Sequence, residues 1–263
     1  MPGYYTHYYF ARKLIENMQV GARSVVDLYT DAYLAGALGA DVLDDLGRLH
    51  AEMDVADVYS FFDSAGAYIY SSGLKSQLAY MLGMLTHYLL DSRLTPYVMY
   101  LAENGAPHFY DEQRTTLTKE EIVTGVDYYV VRAYLYDDLD KVNAFSVREF
   151  VAKDIGELYE SALFHAVRHA IPKDKVVSCL QKISLQEGSP VDMLNVDYAN
   201  TRKREWTTVR NGNWRTDMSL EEFFEKMEPI ALKLITDYMD RARSAISLNP
   251  KAFFVDFLGV LNK

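Results

Sequence analysis

The amino-acid sequence predicts an all-α fold in a single helical domain spanning residues 1–263. Three observations favour it: apolar residues recur with helical spacing, no segment alternates as a strand would, and two capping boxes precede apolar runs. The boxes are Thr118 with Glu121 and Ser219 with Glu222. Because 49% of the residues are hydrophobic, the chain can bury a sizeable core, and we expect about eight to ten helices in one bundle.

The first two helical segments are predicted over residues 7–18 and 22–38. His7 lies on the face of the first segment that carries its apolar residues, so its ring is expected to point inward. A histidine in such a position is either a core residue with a hydrogen-bond partner or a metal ligand. Asp41, just after the second segment, is typical of an N-cap for the next helix, and His50 follows at a loop or helix end.

The central element is predicted over residues 78–91, after a Tyr- and Phe-rich helix over residues 55–70. It is apolar nearly all round, which is typical of a helix in the middle of a bundle. His87 and Asp91 are four residues apart, so they share one face, and Gly83 leaves room one turn back. Because burying an ionised carboxylate is costly, the pair is either a set of metal ligands or an Asp–His hydrogen bond that locks the core.

Downstream elements are predicted from breakers, caps and apolar runs. Pro96 is expected to end the central helix, because proline disfavours helix at the preceding residue. Helices are then expected over residues 96–103, from Thr118 to about Tyr134, over 152–171, from Ser219 to about Leu248, and over 252–261. His108 and Glu112 form a further pair with ligand spacing if that stretch is helical. His165 and His169 form a rival pair, for which a packing or surface role is favoured.

Composition narrows the function classes and the compartment. The formal net charge of −10 argues against a nucleic-acid partner, which needs a basic surface. The single cysteine, Cys179, fits a reducing cytosol, and no signal-peptide pattern begins the sequence, so a cytoplasmic location is expected. The apolar run Leu78–Leu90 is too short to span a bilayer, so no stable membrane insertion is expected. Dinucleotide, P-loop, GxSxG and CxxC motifs are absent from the sequence.

Four short motifs occur in an order that resembles the bacterial zinc-dependent phospholipase C family. The motifs are Thr6-His7-Tyr8, Gly39-Ala40-Asp41, Gly47-x-x-His50 and Gly83-x-x-x-His87-Tyr88-x-x-Asp91-Ser92-x-x-x-Pro96-Tyr97. The resemblance covers roughly residues 3–130, with a fainter echo near Tyr198–Trp206 and in the long C-terminal helix.

The resemblance implies an all-α fold that holds a cluster of three zinc ions at one end, and one to three ions are expected in this chain. On the family's pattern one zinc is held by four residues, and a second by His7 with Asp91 as the bridging ligand. The four are Asp41, His50, His87 and Asp91. Asp41 is also the candidate catalytic residue.

The third zinc site has two possible registers. The family has His-Pro where this chain has Thr95-Pro96, and threonine is a poor zinc ligand. Counted from Pro96, the next ligand pair falls on His108 and Glu112. Counted back from Val126-Asp127, which resembles the family's Ile-Asp, it falls on Lys119 and Val123, which bind no metal.

The function implied by the resemblance is a zinc-dependent phosphoesterase, a hydrolase that acts through a metal-activated water. Its substrate is expected to be a phosphodiester or phosphomonoester, either a small soluble phosphoester or a phospholipid headgroup. Two alternatives stay open: a non-catalytic, zinc-stabilised helical binding domain, and an ordinary helical domain whose histidines are core residues.

Overall fold

A computed structural model describes residues 3–39, 57–163, 171–183, 195–208 and 214–260 of the chain. These residues are mostly helical, which confirms the predicted all-α class. The α-helices are α1 (Tyr4–Asn17), α2 (Val20–Leu28), α3 (Thr30–Leu38), α4 (Val58–Ser72), α5 (Lys75–Asn104), α6 (Lys119–Val130), α7 (Leu139–Asn143), α8 (Glu149–Leu158), α9 (Lys173–Gln181) and α10 (Leu220–Arg241). Within the described ranges, no helix is long and apolar enough to cross a membrane.

Two short antiparallel ribbons were not predicted. Strand β1 (Ala106–Pro107) pairs with β2 (Arg114–Thr115), and β3 (Trp206–Thr208) pairs with β4 (Trp214–Thr216). Strands of two or three residues are too short to carry an alternating pattern, so sequence periodicity does not detect them.

Helix α5 forms the centre of the molecule. Every residue from Ser76 to Ser92 is buried, including positions on all sides of the helix. A helix buried all round needs neighbours on every face, and α1, α3, α8 and α10 all pack against it. The predicted position in the middle of a bundle is therefore confirmed.

The predicted end of this helix at Pro96 is wrong, because α5 continues through the proline to Asn104. Proline lacks the N–H that would bond to the carbonyl of Ser92. The backbone of Gly259 packs on that carbonyl, so closely that a Cβ at Gly259 would lie 2.3 Å from the oxygen. Burial of this stretch on its neighbours offsets the missing hydrogen bond.

Helices α3 and α5 cross with their backbones in contact. A Cβ on Gly83 would lie 2.0 Å from the carbonyl oxygen of Tyr33, and one on Gly36 would lie 2.0 Å from that of Tyr80. The room that Gly83 leaves is thus filled by the α3 backbone. This crossing brings the C-terminal end of α3 beside the next turn of α5.

Both predicted capping boxes are confirmed. Thr118 and Glu121 begin α6, and Ser219 and Glu222 begin α10, with the reciprocal side-chain-to-backbone hydrogen bonds present in each. Each box satisfies two N–H groups that the first turn of a helix would otherwise leave unbonded.

The predicted C-terminal helix over residues 252–261 is wrong. A 3₁₀ turn at Pro250–Ala252 is followed by irregular chain in which Phe253 and Phe257 are buried. These rings pack against Phe62 of α4 and Tyr88 of α5. Apolar spacing alone does not distinguish a short helix from an irregular segment that buries two aromatic rings.

Candidate metal centre

Three predicted ligands meet at one point, His7 from α1 and His87 and Asp91 from α5. His7 Nε2 lies 3.1 Å from Asp91 Oδ1, and His87 Nε2 lies 3.1 Å from Asp91 Oδ2. One ligand atom from each residue lies within 4.8 Å of the others. The three residues are 2%, 1% and 0% exposed, so their polar atoms need partners within the protein or a bound ion.

The end of α3 fixes the orientation of His87. Its Nδ1–H donates a hydrogen bond to the carbonyl oxygen of Ala37 at 3.2 Å, since a carbonyl can only accept. Gly39 has φ +68, and a Cβ there would lie 2.3 Å from the His87 ring. The close approach of this backbone requires glycine and leaves the ring little freedom. A hydrogen bond of this kind to the second ring nitrogen is the usual way in which a metal-binding histidine is oriented.

This orientation creates an electrostatic conflict at Asp91. With Nδ1 protonated, a neutral His87 presents the lone pair of Nε2 to Asp91 Oδ2. Within the described ranges Oδ2 accepts no hydrogen bond, although Nε2 is 3.1 Å away. Two lone pairs facing each other in a buried site are unfavourable unless a second proton or a cation neutralises them.

The stacked imidazoles limit the positive charge that the site can hold. The ring centroids of His7 and His87 are 4.3 Å apart with an interplanar angle of 28°. If both rings were protonated, two positive charges would face each other in a site with one carboxylate, which is costly, whereas one extra proton on His87 alone would balance the charge of Asp91. A divalent cation leaves both rings neutral, and two imidazole nitrogens with one carboxylate oxygen suit zinc. The residues present therefore fit the metal.

Asp91 is ionised at neutral pH. Burial opposes its ionisation, but the positive charge of a protonated His87 and the hydrogen bond from His7 outweigh that effect and hold the pKa of the carboxyl well below its usual range. The site thus offers an anionic oxygen donor.

Thr95 continues the same face of α5 one turn beyond Asp91. Its side chain is 1% exposed, and its Oγ1 has no hydrogen-bond partner in the part of the chain that the structure describes. An unpartnered buried hydroxyl costs free energy. Asp91 Oδ2 and Thr95 Oγ1, two buried oxygens to which no described residue donates a hydrogen bond, therefore lie at i,i+4 positions of one helix.

The C-terminal segment covers the site. The ring centroid of Phe257 lies 6.0 Å from that of His87, and the hydroxyl of Tyr88 donates to the carbonyl of Val255 at 3.0 Å. The sequence shows these residues as an apolar run, but nothing in that run indicates contact with a histidine about 170 positions earlier.

His108 and Glu112 do not join this group. The residues between β1 and β2 are not helical, so the two are not one turn apart on a helix face. His108 instead contacts Thr115, with Nε2 and Oγ1 2.7 Å apart, and Asp111, with Nδ1 and Oδ1 3.3 Å apart. Glu112 is exposed. Among the described residues, the carboxylate beside His108 thus belongs to Asp111.

The remaining predicted residues divide into two sets. Lys119 and Val123 lie in the first two turns of α6, partly buried, and neither offers a zinc donor. Four lie outside the described residues: Asp41, His50, His165 and His169.

Sequence reasoning missed the residues that orient the ligands. Ala37 acts through a backbone carbonyl, which no side-chain motif reports. In the sequence, Asp127 serves only to align Val126-Asp127 with the family's Ile-Asp pair. In the structure, its carboxylate accepts hydrogen bonds from the first turn of α1. Gly39 belongs to the Gly39-Ala40-Asp41 motif, and this motif is the sequence signal for its close packing on His87.

Comparison of the chain with protein-family models, with curated proteins and with solved structures finds no match.

Proposed function

We propose that the chain is a zinc-dependent phosphoesterase whose metal is held by His7, His87 and Asp91. The observation that carries the proposal is the buried group in which His87 Nε2 and Asp91 Oδ2 face each other at 3.1 Å. Asp41 and His50 remain candidate ligands on the motif resemblance alone, with Asp41 the candidate catalytic residue.

The chain's own residues have distinct roles in this proposal. Asp91 offers one carboxylate oxygen toward each imidazole, which suits a bridging ligand. Ala37 holds His87 with Nε2 directed at the site. Zinc, when bound, supplies Lewis acidity toward a phosphoryl oxygen and lowers the pKa of a coordinated water. The substrate class, a phosphodiester or phosphomonoester including a phospholipid headgroup, rests on the motif resemblance.

The test begins with elemental analysis of untagged protein for moles of zinc per chain. The zinc-loaded protein is then assayed on p-nitrophenyl phosphate, bis-p-nitrophenyl phosphate and phosphatidylcholine in mixed micelles. Turnover that is lost in Asp91→Asn and kept in His108→Ala supports the proposal. Zinc-free protein after reconstitution overturns it.

A second candidate, a non-catalytic zinc-stabilised domain, is favoured by one observation. The three ligands are 2% exposed or less, whereas a catalytic zinc keeps a position open to substrate. This candidate predicts bound zinc, a large fall in Tm with chelator, and no turnover on any of the three substrates.

A further inference from the structure

Helix α1 begins without a cap of its own. Its N-cap is Gly3, which has no side chain to accept a hydrogen bond, and its first turn contains no acidic residue. The first N–H groups of a helix have no partner within the helix, so acceptors must come from elsewhere.

Asp127 of α6 supplies these acceptors from 122 residues away in sequence. The N–H of Tyr5 donates to Oδ2 at 3.1 Å, and the N–H of Thr6 donates to Oδ1 at 2.9 Å. The hydroxyl of Thr6 also donates to Oδ1. A carboxylate at a helix N-terminus is further favoured by the helix dipole.

This anchor acts on the residues directly before His7. The N–H of His7 makes a helical bond to the carbonyl of Gly3 at 3.2 Å, so its position depends on an ordered first turn. First turns fray when they are not held, and a frayed turn here would carry His7 Nε2 away from Asp91. Because a metal ligand displaced by a fraction of an ångström binds worse, the anchor bears on metal affinity.

The contact is tightly packed. Thr6 is fully buried, and a Cβ added at Gly3 would lie 2.2 Å from Asp127 Oδ2. The carboxylate thus lies directly against the start of the helix.

We propose that Asp127 is a positioning residue for the metal centre: it holds the first turn of α1 so that His7 faces Asp91. The inference rests on the proposed metal site, but it does not depend on phosphoester hydrolysis. Asp127 contacts Tyr5 and Thr6 in the first turn of α1, and it acts on the site through His7.

Asp197 provides a matched control elsewhere in the fold. Its Oδ1 accepts the N–H and the hydroxyl of Thr201, and its Oδ2 accepts the N–H of Arg202. It therefore makes the same kind of contact, two backbone N–H groups and a threonine hydroxyl on one carboxylate, and Nη1 of Arg204 lies 3.6 Å from its Oδ2. Asp197 does not belong to the group of three ligands.

The experiment measures the zinc Kd by competition with a chromogenic chelator, together with the Tm of the zinc-free protein. We expect Asp127→Asn to weaken zinc binding by about tenfold or more, as losses of residues that orient ligands do. Asp197→Asn should lower the Tm comparably and leave the Kd within about twofold of wild type. Amide hydrogen exchange at Thr6 should accelerate in Asp127→Asn.

Thr6 variants test the same contact should Asp127→Asn fail to fold. Thr6→Val removes the hydroxyl donor and should weaken zinc binding, whereas Thr6→Ser keeps the donor and should restore it. If Asp127→Asn, Asp197→Asn and wild-type protein bind zinc with equal affinity, the inference is overturned and the proposed function still stands. Zinc-free wild-type protein overturns both, whereas zinc binding without phosphoesterase activity removes only the hydrolytic function.

Discussion

Oδ2 of Asp91 lies 3.1 Å from Nε2 of His87, yet no group in the described ranges donates a hydrogen bond to it. The carbonyl of Ala37 accepts a hydrogen bond from Nδ1–H, so a neutral His87 ring presents only the lone pair of Nε2 to Asp91. The two residues therefore need a cation or a proton between them. A bound cation would meet this need in a metal centre, and a second proton would meet it in a hydrogen-bonded core pair.

Asp91→Asn should abolish zinc binding and leave the zinc-free protein at least as stable as zinc-free wild type. The amide keeps an oxygen acceptor for His7 and places an N–H donor opposite the lone pair of His87, which removes the conflict. Zinc per chain and the Tm in chelator measure the two effects. Asp91→Ala is the contrast, since it leaves both buried imidazoles without this partner and should cost about 2–4 kcal/mol. A zinc-free Asp91→Asn protein with a Tm well below that of zinc-free wild type would contradict this prediction.

His108→Ala should leave the zinc content unchanged. Its ring contacts Thr115 and Asp111 in the loop between β1 and β2 and does not belong to the group of three ligands. Elemental analysis of the His108→Ala and His87→Ala proteins side by side measures this, because His87→Ala should lose zinc. A loss of one zinc in the His108 variant would restore the sequence-based assignment of His108 and Glu112 to a third site.

Gly83→Ala should destabilise the protein severely, by about 3 kcal/mol or more, because the new methyl would meet the α3 backbone. The nearest atom, the carbonyl oxygen of Tyr33, would lie 2.0 Å from the new Cβ and cannot move without the helix. Urea unfolding measures the loss. Gly73→Ala is the matched control, since a Cβ there meets nothing within 4 Å and only its φ of +68 is strained. Its cost should stay near about 1 kcal/mol.

The ion pair between Asp31 and Arg148 should contribute to acid sensitivity. Burial works against ionisation of Asp31, but hydrogen bonds and charge from Arg148 outweigh it and lower the pKa of the carboxyl. A carboxyl with a folded-state pKa below its unfolded value, about 3.9, stabilises the protein above that value. This contribution is lost as the pH falls further, through the folded-state pKa.

Asp31→Asn should therefore lower stability by about 1 kcal/mol at pH 7, since Arg148 is half exposed and screened. The difference from wild type should shrink below about pH 4. Urea titrations at a series of pH values follow it, with Lys153→Gln, on an exposed pair, as the control. A difference that stays constant down to about pH 2.5 would show that Asp31 acts through packing and not through its charge.

The sequence was sufficient where structure depends on local spacing. Capping boxes at Thr118 and Ser219 placed the starts of α6 and α10, because a cap involves residues three apart. Local rules were misleading at Pro96, where burial of α5 on its neighbours outweighs the preference of proline for a helix end. They were misleading again after Ala252, where aromatic rings pack without forming a helix.

The candidate site also combines a contact that the sequence predicts with contacts that only the tertiary structure shows. His87 and Asp91 share a face because helical periodicity puts residues four apart together, and this follows from the sequence alone. His7 reaches Asp91 across 84 positions, and Ala37 orients His87 across 50. The tertiary structure alone decided these contacts, because they depend on the crossing of α3 with α5 and on the anchoring of α1 by Asp127. Energies of contact between distant segments are set by packing, which no local pattern of residues encodes.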